Sequence, residues 1–242
     1  MKQLKNLKPQ KGYYFPMFPI ILSKDNAIID GQNRYAVCMM NGLKFQTIKL
    51  PFTVDQINTK SCIDELNKIQ KKQDEQLEQA FIKYKIDFKT QLLHCSSQMK
   101  IKKFYEFKDL FQNDDEYWTE LRTAFMCSKN TRNYQKEIRE LFSAKKENRY
   151  KLMTDSEIKD LEKLPSKIKV YRGMTEEEKE SGEYGISWSL KKEVAETFAF
   201  TYAHNYDSVG KPKTVIELEI DKSEIIAHFT DREECEILYL HT

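Results

Sequence analysis

Three placements in the last third of the chain put polar chemistry where a sheet would otherwise be apolar. Arg172 stands inside the strand-like run IKVYRGM and is followed by Gly173. Ser187-Trp188-Ser189 forms a short strand directly ahead of a helical run. Glu233, Glu234 and Glu236 cluster where the last apolar run, ILYL, begins. Strand side chains alternate, so Glu234 and Glu236 share one face, expected to point towards the arginine and serines, and Glu233 faces the other way. Arginine grips phosphate through a planar fork. A neighbouring glycine lets backbone approach a flat ring. A carboxylate can hold ribose hydroxyls and stabilise positive charge developing at a sugar carbon. Together these groups suit a dianionic sugar-phosphate ligand. The plainer alternatives are an ion pair of Arg172 with Glu236 or a neighbour, and serines that merely fill a strand.

The elements that must carry these residues follow from periodicity. After Pro165 the sequence predicts strands at IKVYRGM, ISWSL, TVIELEI, EIIAHF and EILYL. EEEKESGEYG reads as a charged loop with solvated acids, and KKEVAETFAFTYA as a helix with Val194, Ala195, Phe198 and Tyr202 inward. Residues 104–162 predict helices. Asn113 and its neighbours cap one carrying Tyr117, Trp118, Leu121, Ala124 and Phe125; Ile138, Leu141 and Phe142 mark a second; Thr154 to Glu157 opens a third. Residues 55–95 form a long amphipathic helix with an expected break near Lys71–Gln73. The front reads as a proline-broken strand, a turn at Lys24-Asp25-Asn26, a short strand AIID, a helix stopped by Asn41-Gly42, and a strand from FQTIKLPFTV.

In order and context, VYRGM, GISWSLKKEVAETFA and EECEILYL resemble the Arg–Ser–Glu pattern of the mono-ADP-ribosyltransferases, over about residues 166–240 by motif. The resemblance implies NAD as co-substrate and no metal. It implies that Arg172 holds the NAD phosphates or nearby ribose, that Gly173 brings backbone to the nicotinamide amide, and that Ser187 supports the ribose pocket and orients the glutamate. Ser-Trp-Ser replaces the commoner Ser-Thr-Ser, which gives Trp188 and Ser189 the wall behind that serine. Glu236 is implied as the catalytic carboxylate, Glu234 as the residue that orients or deprotonates the acceptor, and Phe198 as a neighbour of the nicotinamide. Residues Phe229, Asp231, Arg232 and Glu233 are implied as the acceptor turn. The implied acceptor is a macromolecule, a protein arginine before nucleic acid, with water, and hence NAD glycohydrolysis, as the alternative.

The front run ILSKDNAIIDGQNRYAVCMMNGLKFQTIKL resembles the small ParB/sulfiredoxin-like domains. There the turn DGQNRY opens a helix, and helix N-termini attract anions. Asp30, Gln32 and Arg34 are the candidates for phosphate, nucleotide or nucleic-acid contact. A second functional class follows: a ParB-like binding protein whose back half is a non-catalytic scaffold.

Composition sets the outer bounds. The 242 residues are 40% hydrophobic and 32% charged, enough for a real core. Net charge divides unevenly, +5 over residues 1–58, +3 over 59–165 and −6 over 166–242, so only the front suits a polyanion. Five scattered cysteines form no CxxC, which favours buried free thiols over disulfides or zinc. No run of about 18 apolar residues occurs, so no membrane span is expected. The basic start lacks the apolar segment of a signal peptide, and a cytoplasmic protein is expected. The two resemblances together suggest a bacterial or phage protein acting as a toxin, an anti-defence effector or a regulator. The expected architecture is α+β: a ParB-like α/β module over residues 1–58, a helical connector over 59–99, and over 100–242 an ADP-ribosyltransferase-like domain of helices followed by a mixed β-sheet.

Overall fold

The computed structural model describes residues 19–241 apart from 43, 84, 130, 202–209 and 231–234. The chain is α+β and separates into two compact units, Met1–Lys85 and Ile86–Thr242. Among the described residues no helix is long and apolar enough to cross a membrane.

In the first unit, β1 (Ile20–Leu22) and β2 (Ile28–Asp30) form an antiparallel pair. The turn between them is closed by Ser23, whose Oγ accepts from Ala27 N–H at 2.9 Å. Gly31, at φ 92°, turns the chain into α1 (Gln32–Asn41), a left-handed conformation that side chains resist. β3 (Thr47–Lys49) then pairs parallel to β1, giving the order β2-β1-β3. Ile21, Leu50 and Cys62 are buried together, with Ile48, Leu66 and Ile69 packed on them. Cys62, Leu66 and Ile69 lie on α2 (Lys60–Lys83), so this helix helps build the first core. The connector expected over 59–99 is therefore divided, α2 lying in the first unit and the chain from Ile86 in the second. The expected break near Lys71–Gln73 is absent. That stretch has no Gly or Pro, and Gln70 donates to Asp74 one turn on at 3.0 Å.

The second unit begins with α3 (Phe88–His94), α4 (Lys100–Phe107), α5 (Asp114–Met126), α6 (Gln135–Phe142) and α7 (Asp155–Lys163). α5 starts where Asn113 Oδ1 accepts from Glu116 N–H at 2.8 Å, and α7 starts in a reciprocal box between Thr154 and Glu157. Phe104, Tyr117, Trp118, Leu121, Ile138 and Phe142 make the core of these helices, and it continues onto the sheet through Ala227, Phe229 and Leu238. One buried ion pair ties the layers together. Arg122 on α5 donates to both oxygens of Glu157 at 2.6 and 3.0 Å, and its guanidinium covers the Phe229 ring at 4.7 Å.

The sheet comprises β4 (Lys167–Thr175), β5 (Ser187–Ser189), β6 (Lys213–Asp221), β7 (Ile225–Phe229) and β8 (Glu236–Tyr239), in the order β6-β4-β5-β8-β7. Every pairing is antiparallel, where a mixed sheet was expected, because each strand reverses against the neighbour it meets. Ile168, Val170, Trp188, Ile220 and Ile237 bury one face. On the opposite face β4 and β6 pair charges diagonally, Lys169 with Glu217 at 2.7 Å, while Glu219 lies directly across from Lys169.

Two expectations after β4 change. The charged loop is in part a helix, α8 (Glu176–Ser181), because Thr175 Oγ1 caps Glu178 N–H at 3.2 Å and Gly182 ends the turn. Further on, α9 (Lys192–Glu196) runs into a single π-helical turn at Thr197–Thr201. The wider turn brings Ala195 and Ala199 inward and leaves Phe198 46% exposed, so Phe198 is not the inward residue its spacing predicts. Tyr202 lies outside the described residues.

Candidate functional site

The strands carrying Arg172, Ser187 and Glu236 are adjacent in the sheet. Tyr171 pairs with Ser189, and Ser189 with Glu236, so these three share a face, and Ser187 joins them by alternation. Across it, Ser187 Oγ donates to Glu236 Oε1 at 2.5 Å. A hydroxyl held on one oxygen fixes the carboxylate at the start of β8, where Ile237 and Leu238 anchor the strand with no exposure. Leu190 N–H donates to Cys235 O at 3.1 Å and pins the chain immediately before it.

Arg172 arrives differently from the expectation that Glu236 points towards it as well as towards the serines. It leaves β4 on the face of Val170 and Trp188, opposite Ser187 and Glu236. Its guanidinium meets β5 through the backbone, Nη1 donating to the Ser187 carbonyl at 2.6 Å. Ser187 is thus the common member, bonded to Glu236 by its hydroxyl and to Arg172 by its carbonyl. The ion-pair partner of Arg172 is Glu178. Arg172 Nε and Nη2 both lie on Glu178 Oε1, at 2.9 and 2.8 Å. That same oxygen accepts from Gly185 N–H at 3.1 Å. Arg132 stands behind, 3.7 Å from Glu178 Oε2 and donating to Thr175 Oγ1 at 3.0 Å.

The sequence singles out none of Glu178, Arg132 and Gly185, and it suggests a solvated Glu178 whose side chain is in fact 9% exposed. Glu178 sits in a run of acids, and its neighbours Glu176 and Glu177 are the solvated residues that run suggests. The available signal was the spacing Thr175-x-x-Glu178, a helix start that fixes the direction of the third residue.

Other expected contacts are reassigned. Gly173 does not open onto space for a ring. A Cβ there would lie 2.2 Å from Ala195 O and 2.8 Å from Ala199 N, so the glycine admits the protein's own helix. Trp188 is 2% exposed in the second core, on the face opposite Ser187. Ser189 is buried, and its hydroxyl accepts from Lys191 N–H at 3.0 Å where the chain turns into α9. Phe229 is core beneath Arg122 and not part of a turn. Asp231, Arg232, Glu233 and Glu234 lie outside the described residues.

In the first unit, Asp30 closes β2 opposite Ile21. Gln32 Nε2 donates to the carbonyls of Ile28 and Ile29 at 3.3 and 3.2 Å, so its amide caps the strand that precedes it and does not project as an anion contact. The Arg34 side chain lies outside the described residues.

Cys38, Cys62 and Cys95 are buried thiols as expected, whereas Cys127 is exposed and Cys235 partly so. Among the described residues no group of three or more His, Cys, Asp or Glu could hold a metal ion. Chemically, the site offers a fixed carboxylate, a hydroxyl bonded to it, and a guanidinium attached through the same residue. Compared with family models, with curated proteins and with solved structures, the chain matches none.

Proposed function

We propose that the second unit is a mono-ADP-ribosyltransferase that uses NAD as its donor substrate. The observation that carries this reading is the hydrogen bond from Ser187 to Glu236, with Arg172 on the carbonyl of the same serine. In the reaction the C1′–N1 glycosidic bond breaks and its electron pair leaves on neutral nicotinamide. A new bond forms from C1′ to the acceptor nucleophile, which gives up its proton. Positive charge develops at the ribose carbon as the bond lengthens, and a fixed carboxylate is the group that stabilises it. Glu236 has that role and also accepts a ribose hydroxyl. Ser187 orients Glu236, and Arg172 binds the diphosphate.

The residues present suit this substrate in part. Arg172 and Glu236 supply the cation and the carboxylate; the space beside Gly173 is filled by helix backbone, so that glycine has no part in the reading. The acceptor is a macromolecular nucleophile, with a protein arginine ahead of nucleic acid, and water as acceptor gives the glycohydrolase variant.

The test is to incubate the full chain with NAD labelled in the adenosine moiety, with and without a cell lysate. Free nicotinamide and label in protein or nucleic acid are then followed. Nicotinamide release that falls at least about a hundredfold in Glu236→Gln supports the reading. Equal release by wild type and Glu236→Gln refutes it, and release without labelled macromolecule assigns water as acceptor.

A further inference from the structure

We infer that Glu178 is a positioning residue that aims the Arg172 guanidinium at an anionic substrate, an inference that rests on the NAD reading above. A guanidinium carries five N–H donors in a fixed fork. Glu178 Oε1 accepts one of them, from Nε at 2.9 Å, with Nη2 in ion-pair contact at 2.8 Å, and the Ser187 carbonyl accepts one from Nη1 at 2.6 Å. Among the described residues this leaves one N–H on Nη1 and both on Nη2 without a hydrogen-bond acceptor, so each terminal nitrogen has an N–H to give to one of two phosphate oxygens at the end of the fork. Arginine side chains are long and lose about 2 kcal/mol of rotamer freedom when fixed. An unguided Arg172 would meet that cost on binding substrate, whereas here the carboxylate and the carbonyl meet it on folding.

The clamp is itself held. The Glu178 side chain is 9% exposed; its own N–H is capped by Thr175, and its Oε1 also accepts from Gly185 N–H. Gly185 is part of the fit, since a Cβ there would lie 2.3 Å from Arg172 Nη2 and 2.8 Å from Cζ. The obstacle is the end of a flexible side chain, so a methyl at 185 would push the guanidinium aside and leave the fold in place. Glu178 does not touch the reacting atoms; it acts through Arg172.

The experiment measures KM for NAD and kcat for nicotinamide release in wild type, Glu178→Ala, Glu178→Gln and Gly185→Ala, with a thermal melt of each. Glu178→Ala should raise KM about tenfold with kcat within about threefold, the pattern of lost substrate binding. Glu178→Gln keeps an oxygen acceptor for Nε and should recover most of that KM. Gly185→Ala should raise KM with an unchanged melt, and together with Glu178→Gln it decides the matter if Glu178→Ala unfolds. An unchanged KM in Gly185→Ala or Glu178→Ala overturns the inference while the NAD reading stands. A Glu178→Gln protein as impaired as Glu178→Ala also overturns it, because charge and not aim would then be the role. Wild-type protein that releases no nicotinamide overturns the NAD reading, and the inference with it.

Discussion

Replacing Glu157 by glutamine tests how the second unit holds together and how its stability depends on pH. Glu157 is 1% exposed at the side chain and accepts five hydrogen bonds: two from Arg122, two from Thr154 and one from Thr230 N–H at 2.9 Å. Burial alone would raise its carboxyl, but the bonds from Arg122, Thr154 and Thr230 outweigh it and hold the group at about 2, against an ordinary 4.5. At about 1.4 kcal/mol per pH unit, that difference is worth about 3 kcal/mol at neutral pH. Breaking a buried pair independently suggests a loss of about 3 to 5 kcal/mol, because Arg122 is left as an uncompensated buried charge. The sign follows from the depressed value. The contribution is complete above about pH 4.5, where the unfolded chain is also ionised, and is lost as pH falls towards 2.

Both tryptophans, Trp118 and Trp188, lie in the second unit, so tryptophan fluorescence reports that unit in the full chain. Urea titrations at pH 7 should place Glu157→Gln about 3 kcal/mol below wild type, and the melting temperature should drop by roughly 10 °C. Repeated between pH 5 and 3, the titrations should show the gap narrowing as wild-type Glu157 loses its advantage. A gap below about 1 kcal/mol at pH 7, or one that stays constant to pH 3, would refute the coupling of Glu157 to Arg122 as its source.

Three further outcomes are expected. His228 is 4% exposed, and neither ring nitrogen has a hydrogen-bond partner among the described residues. Burial lowers its affinity for a proton, with Asp160 and Glu157 only partly opposing, so its neutral form is favoured and stability falls as pH drops below about 6.5. His228→Leu should raise stability at pH 7 by about 1 kcal/mol and flatten the pH dependence between 7 and 5, as urea titrations would show. Gly173→Ala must displace backbone at Ala195 and Ala199, and circular dichroism melts should show a loss of about 1 to 3 kcal/mol or more, in contrast to the intact melt of Gly185→Ala. Ser187→Ala removes the donor to Glu236 but leaves the carbonyl that holds Arg172; nicotinamide release should lose kcat about tenfold or more while KM for NAD changes little.

Where the sequence was informative, a local rule acted alone. Asn113 and Thr154 start helices in the structure as their spacing predicts, since a cap needs only its own next three residues. Ser187-Trp188-Ser189 and Glu236 fall on neighbouring strands, in a register that apolar Trp188 and Ile237 enforce by burying the other face. What could not be read depends on partners far away in the chain. The facing of Arg172 follows from Val170 two residues earlier, but its path to the Ser187 carbonyl depends on a glycine at 185. The opposite fates of Gly173 and Gly185, one filled by backbone and one by a side chain, have no local sign at all.

One regularity unites the glutamates that hold Arg122 and Arg172. Glu157 and Glu178 each stand three residues after a threonine cap, and each holds an arginine, Arg122 and Arg172. A cap fixes the first helical turn, so the side chain at its third position points back towards the segment before the helix. Glu157 closes its box on Thr154 and reaches Arg122 with the rest of its capacity. Glu178 turns its Oε1 to Arg172 and to Gly185 N–H. Amid a run of acids, Thr-x-x-Glu after a strand is therefore the mark that separates an arginine clamp from a solvated face, and exchanging Glu177 for alanine should leave NAD kinetics untouched where Glu178→Ala does not. Equal effects at 177 and 178 would show that the charge of the run, and not the turn that aims one member of it, is what Arg172 senses.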